Sequence, residues 1–491
     1  MRWRHAASAV SLLWPLLVTT SCGPGAQEGG GIGGTGIVAG VSSGPVTGFG
    51  SVFVSGDEYD TASTFFTVDR IAGATQDQLK KGMIVLVEAT LLENTDTKEI
   101  LERTADRITY SDSIEGPVQQ IDAAGKMLTV LGQTVLVTDA TIIDEAVPGR
   151  NLTQLRPNVD VLEISGFVVG DGALVATLID RKNGPPDYEL KGFVKNHDAG
   201  AETFEIGNVT IDYAGADISM MPPPGGNAWN ALSVHLLGNT FLADPSGEGG
   251  GRLHVSSVGQ DSIGVQESTR AEIEGFVTRV VDSSSFLVGQ VRVQFDTHTV
   301  FEGGVSADIS PGVRVEVDGV LTGEVLEAQR IELNNGVKLE SNISVITSSD
   351  GISGTLLLAG LFGTIIHVNS HTQVHGVGDV TSLNQLAAGD HVTVRGESFG
   401  SEVLATEITR QSPSGNRALQ GPTVSSSDPL LTILGTTIDT SALPDSAFRR
   451  VDDAPIGRAT FFASVSPGVI VEVEGLESGD TIRWLEAELQ Q

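Results

Sequence analysis

Six times along its 491 residues the chain returns to one pattern: a glycine followed by short runs of alternating apolar and polar residues. A period of this size is the mark of a repeat architecture, in which one small unit is duplicated and stacked. The glycines that open the copies are Gly44, Gly116, Gly192, Gly275, Gly354 and Gly421, separated by 72, 76, 83, 79 and 67 residues. The next block sets apolar residues at alternate positions on both sides of a second glycine. It occupies residues 52–59, 128–137, 204–211, 286–293 and 431–438, with a looser copy around Gly363. Alternation about a central glycine turn reads as a β-hairpin.

A third block, Leu-x-x-Gly-x-x-Val-x-Val in outline, occurs at residues 79–87, 309–317, 386–394 and 465–473. The second copy carries Asn158 in place of the glycine, and the third keeps only the strand 232–237. Glycine or asparagine before a strand predicts a turn with positive φ. The copies close on a Leu-x-Ala strand, as at residues 174–179, 326–331 and 404–408. Each copy therefore holds about five strands with one apolar face, which must close or stack to bury that face and remove its edges. The expected fold is all-β: about six tandem small barrels of the oligonucleotide/oligosaccharide-binding (OB) kind. The units run over residues 41–112, 113–184, 188–260, 270–335, 343–411 and 417–491, the third diverging with an insert at 220–226. Units this small bury too little surface to be robust alone, so contacts between them matter.

The first 22 residues are an address. Arg2 and Arg4 precede an apolar stretch, residues 6–18, too short for a membrane span, and then Thr19-Thr20-Ser21-Cys22. This resembles a bacterial lipobox. On that reading residues 1–21 are a signal peptide, and Cys22, the only cysteine, becomes the lipidated first residue of the mature chain. Residues 22–40 are then a flexible Gly-rich tether. Gly23 stands where an aspartate would retain such a protein in the inner membrane. The expected place is the cell envelope, at the outer membrane, facing periplasm or surface.

The tether GGIGGTGI followed by GPVTGFGSVFVSGDEYDT resembles the opening of a bacterial domain family, DUF5666, and the repeated glycine and Leu-x-Ala blocks are similar to that family over residues 41–490. The resemblance implies exported, often lipid-anchored proteins with an OB-like barrel. It implies no activity, and no functional residues carry over.

Net charge is −33. Such a surface repels phosphate backbones and argues against nucleic acid as a partner. No nucleophile elbow, phosphate loop or zinc-protease motif is present, so no catalytic residues, cofactor or metal site are assigned. His367, His371 and His375 are spaced for one face of a helix, but their surroundings read as strand, where positions four apart lie too far from each other to share an ion. Asp57-Glu58 and Asp452-Asp453 read as turn residues. Trp229, in the irregular third unit, is the candidate ligand contact. The reading is a non-catalytic envelope protein, a rod of barrels that binds or spaces a protein or polysaccharide. An envelope glycan enzyme and an acidic surface that gathers divalent cations are the alternatives. Oligomeric state is not legible.

Overall fold

The structure, a computed structural model, describes residues 35–122, 126–169, 173–245, 250–263, 269–302, 304–333, 336–348, 351–370, 372–450, 454–479 and 481–490. Cys22, His371 and the Asp452-Asp453 pair lie outside the described residues. Nearly everything described is strand and connecting turn, and the one α-helix among the described residues is Arg458–Ser464.

The second unit shows the plan. Its strands are Ile114–Asp122, Met127–Val130, Gln133–Leu136, Val161–Val169 and Ala173–Lys182. Strand one pairs antiparallel with two and two with three. Three pairs parallel with five, five antiparallel with four, and four antiparallel with one. The ring therefore closes in the order 1-2-3-5-4-1, the order of an OB barrel. The fourth unit closes in the same order, with first strand Thr269–Asp282 and last strand Val325–Leu333. So does the fifth, from Val337–Ser348 to Glu402–Arg410. Parallel strands need a crossover. Here it contains one or two 3-10 turns, Pro148–Arg150 and Leu152–Gln154 in the second unit, and a two- to four-residue strand laid parallel to strand five. Alternation sends Ile114, Val118, Leu128, Val130, Val135, Leu162 and Ile164 inward, all fully buried, so the barrel is filled by its own side chains.

The repeated glycines have two separate physical causes. The opening glycine sits where the next hairpin folds over strand one. A β-carbon on Gly116 would come within 2.4 Å of the Leu131 side chain, and one on Gly192 within 2.4 Å of Ile206. In the fifth unit this position is not Gly354, which lies on the second strand, Gly354–Leu358. It is Ser341, opposite Val392 just as Gly275 is opposite Val315. Ser341 donates its hydroxyl to the Ala359 carbonyl at 2.6 Å and so carries its small side chain without an orphaned donor. The boundary read at 343 falls inside that unit's first strand.

The glycine before strand four has positive φ: 88° at Gly82 and 92° at Gly312, Gly389 and Gly468, with Asn158 at 60° and Ala231 at 67° in the other two units. In that conformation the turn latches onto strand one. The amides of Gly82, Gly312, Gly389 and Gly468 donate to the carbonyls of Val46, Val277, Ile343 and Thr423 at 2.8 Å.

The barrels do not all associate in chain order. The first strand of unit one, Thr35–Phe49, pairs in parallel with that of unit four, residues 40–43 against 270–273. Units two and three pair through Glu115 with Glu189 and Ile114 with Leu190. Units five and six pair through residues 338–340 and 418–420. These three double barrels then meet: Phe167 of unit two lies edge-on to Phe276 of unit four, in one buried cluster with Leu404 of unit five. The expectation of a rod is replaced by a packed body.

Candidate functional site

A wide concavity opens between units rather than inside one. It encloses about 1380 Å³, with walls from units four, five and six and a lip from Asp139 and Ala140 of unit two. Strand alternation explains its polarity. On each contributing strand the apolar residues point into the barrel, which leaves Arg314, Lys338, Arg395, Glu397 and Glu472 facing the gap.

These charges hold the walls together. Lys338 Nζ is 2.9 Å from Glu472 Oε1, joining units five and six. Arg395 joins unit five to unit four at 2.7 Å from Asp308 Oδ1. Arg314 donates to Glu274 Oε1 at 2.5 Å and lies over the Phe167 ring, and Glu274 also accepts from Ser55 of unit one at 2.7 Å. Asp139 is fixed from both ends: its amide donates to Ser398 O at 2.8 Å, and its carboxylate accepts from the Gly400 amide at 2.6 Å. Glu397 is the exception. Burial pushes its carboxyl up, opposed by the Arg314 charge.

An adjoining groove of about 580 Å³ shares Lys338, Arg395 and Asp308 and adds His375, His391 and Glu407. His375 Nε2 is 2.5 Å from Glu407 Oε1, and the Thr409 hydroxyl lies 3.5 Å from the same ring nitrogen. A hydroxyl–histidine–carboxylate relay needs its two partners on opposite ring nitrogens. Sharing one nitrogen makes this a structural hydrogen-bond cluster.

The residues singled out in the sequence fall apart in space. His375 sits on a short strand, Gln373–Gly376, and pairs with Glu407, while His367 pairs with Glu402 at 2.7 Å. Asp57 forms an ion pair with Arg103, and Glu58 accepts from Ser51 at 2.8 Å. Trp229 is not a surface contact. It is 0% exposed, its ring stacks on His197 at 4.4 Å, and its N–H donates to the Pro222 carbonyl at 2.8 Å. The insert that looked irregular folds back so that Trp229 plugs the third barrel, which satisfies both the apolar body and the polar tip of the indole.

One set of side chains among the described residues has the spacing to hold a metal ion: Asp69, Asp112 and Glu163, with carboxylate oxygens within 4.8 Å of one another. Residues 43 and 51 positions apart leave no local signal, because only the joint between units one and two brings them together.

A family model for a domain of unknown function, DUF5666, matches residues 115–180, 274–332 and 345–409. These are the greater part of the second, fourth and fifth barrels. No curated protein matches the chain, and no solved structure matches it.

Proposed function

We propose that this chain, which carries the DUF5666 domain in tandem copies, is a non-catalytic binding protein of the cell envelope whose cleft between barrels receives a segment of a partner protein. The observation that carries the reading is the placement of the concavity. The barrels are filled, a wide opening lies between units, and four of the charged residues on its walls, Lys338, Glu472, Arg395 and Asp308, are already spent on ion pairs between those units. A surface of fixed, paired charges with few aromatic rings (Phe301 is the one in its lining) suits hydrogen bonding to a polypeptide better than stacking on sugars. Lipid on Cys22 would hold the protein at the membrane, with the Gly-rich chain before Thr35 giving it reach; residues 35–40, expected as tether, already belong to the first strand.

A crosslinking experiment in cells tests this. Photo-crosslinking residues at Ala140 and Val424, both on the cleft wall, should give defined adducts with a protein, and Ile71, exposed elsewhere, should not. Cys22→Ser should move the protein from membrane to soluble fractions. Adducts spread equally over all three positions, or absent from all, would instead leave a spacer. A second reading rests on Glu397, a buried carboxyl in the cleft with a raised pKa, which is the character of a general acid. Hydrolysis of envelope glycan that disappears in Glu397→Gln would favour an enzyme.

A further inference from the structure

The joint between the first two barrels gathers carboxylates. Asp69 follows the strand Phe65–Val68 in a turn with φ of 46°, and its amide donates to the Tyr110 carbonyl at 3.1 Å. Asp112 lies in the link between the last strand of unit one, Ile100–Tyr110, and the first of unit two. Glu163 reaches in from Val161–Val169, with Glu115 and Glu189 nearby. Lys182, whose positive charge acts on Asp69, is already engaged at 2.6 Å by Glu115, at 3.1 Å by Glu163 and at 3.5 Å by Asp187.

An acidic cluster on so acidic a protein means little alone. What sets this one apart is unmet bonding. Asp112 is 1% exposed; its Oδ1 accepts from the Tyr110 hydroxyl at 2.6 Å, but its Oδ2 has no partner, and neither has the buried Oδ1 of Asp69. Of the five buried side-chain polar atoms without a partner among the described residues, these are two. A buried carboxylate oxygen with no donor is costly. Burial and the neighbouring carboxylates push Asp69 up to about 6 and Asp112 well above its ordinary range.

We propose that Asp69, Asp112 and Glu163 form a calcium site that clamps the first barrel to the second. The three side chains offer only oxygen, which selects a hard cation over zinc or copper. Ligands on opposite sides of Ca²⁺ stand up to about 5 Å apart, whereas Mg²⁺ closes that span to about 4 Å. Oxygens within 4.8 Å of one another can all reach one Ca²⁺, the larger of the two ions and the more tolerant of irregular geometry. The ion takes the orphaned oxygens as ligands and displaces whatever protons they hold. The site lies away from the cleft and does not depend on what the cleft binds.

The test uses the full chain, purified in detergent and stripped with EDTA. Tb³⁺ serves as the probe, because Tyr110, bonded to Asp112, can sensitise its luminescence. In wild type, Tb³⁺ luminescence should rise, and Ca²⁺ should displace it better than Mg²⁺. Ca²⁺ at about a hundredfold excess over Kd should raise the melting temperature by about 5 °C. Asp69→Asn and Glu163→Gln should each weaken Tb³⁺ binding about tenfold or more and abolish the calcium shift. Both should melt in EDTA at or above the wild-type temperature, since each removes a charge the empty joint must bear; Asp96→Asn, on another part of unit one, should behave as wild type. A wild type that does not respond to calcium, or Asp69 and Glu163 variants that respond as wild type does, overturns the proposal; the latter assigns the effect to the acidic surface at large.

Discussion

The Leu131 side chain lies across the face of Gly116, close enough that a β-carbon there would meet Leu131 Cγ at 2.4 Å. The contact pins the first hairpin of the second barrel to its opening strand. Gly116→Ala forces overpacking in a filled core and should cost about 1–3 kcal/mol in denaturant unfolding. Leu131→Ala should cost about 2–4 kcal/mol by opening a cavity. The double variant should be less destabilised than the sum, because the smaller side chain makes room for the added methyl. Strict additivity would show that the two residues do not share the space.

Asp160 should make the second barrel sensitive to acid. Its carboxylate accepts from the Arg156 guanidinium and amide, each at 2.8 Å, and from Arg181 Nε at 3.1 Å. The Arg156 bond leads in holding its pKa down at about 2, against about 3.9 for an unfolded aspartate. A depressed carboxyl adds stability above the unfolded value, which is lost as pH falls from about 4 to about 2. Asp160→Asn should cost about 1–3 kcal/mol at pH 7 and flatten that acid limb. Thermal melts between pH 2 and 6 read both effects, and a variant with the wild-type acid limb would place the sensitivity elsewhere.

His375 should titrate in the opposite sense. The hydrogen bond that its ring N–H donates to the Glu407 carboxylate raises its pKa above the ordinary histidine value, with burial opposing. A raised histidine stabilises the fold below its unfolded pKa of about 6.5, and the gain is lost as pH rises through the folded value. Glu407→Gln should move the His375 midpoint down, as followed by NMR of the imidazole protons. An unmoved midpoint would mean that the 2.5 Å contact carries no charge coupling.

Much of the fold was legible because its constraints are local. A positive φ before strand four leaves glycine or asparagine in five of six copies, and hairpin alternation needs only neighbouring residues. Ser341 leaves no signal in the sequence because a buried serine can do the opening glycine's work once its hydroxyl is satisfied, and Gly354 carries the glycine pattern on the next strand. Trp229 was misjudged because its segment has no periodicity, yet it returns to its own barrel. What lies between units was hidden altogether. Nothing near Val41 marks it as the strand partner of Ala271, and Asp69, Asp112 and Glu163 meet only when units one and two are docked. The cleft shares that origin, since Lys338, Arg395 and Asp139 are unremarkable residues until four barrels face one another.

The central claim is that the barrels pair out of chain order, the first with the fourth. Cys22→Ser gives a cysteine-free background. Cysteines at Lys98 and Gln329, which line the crevice between those two units, can then carry spin labels. Pulsed EPR should give a narrow distance distribution below about 25 Å, whereas barrels strung in sequence would put three unit widths, roughly 75 Å, between the labels. A short distance supports the packed body, and a long or very broad one contradicts it.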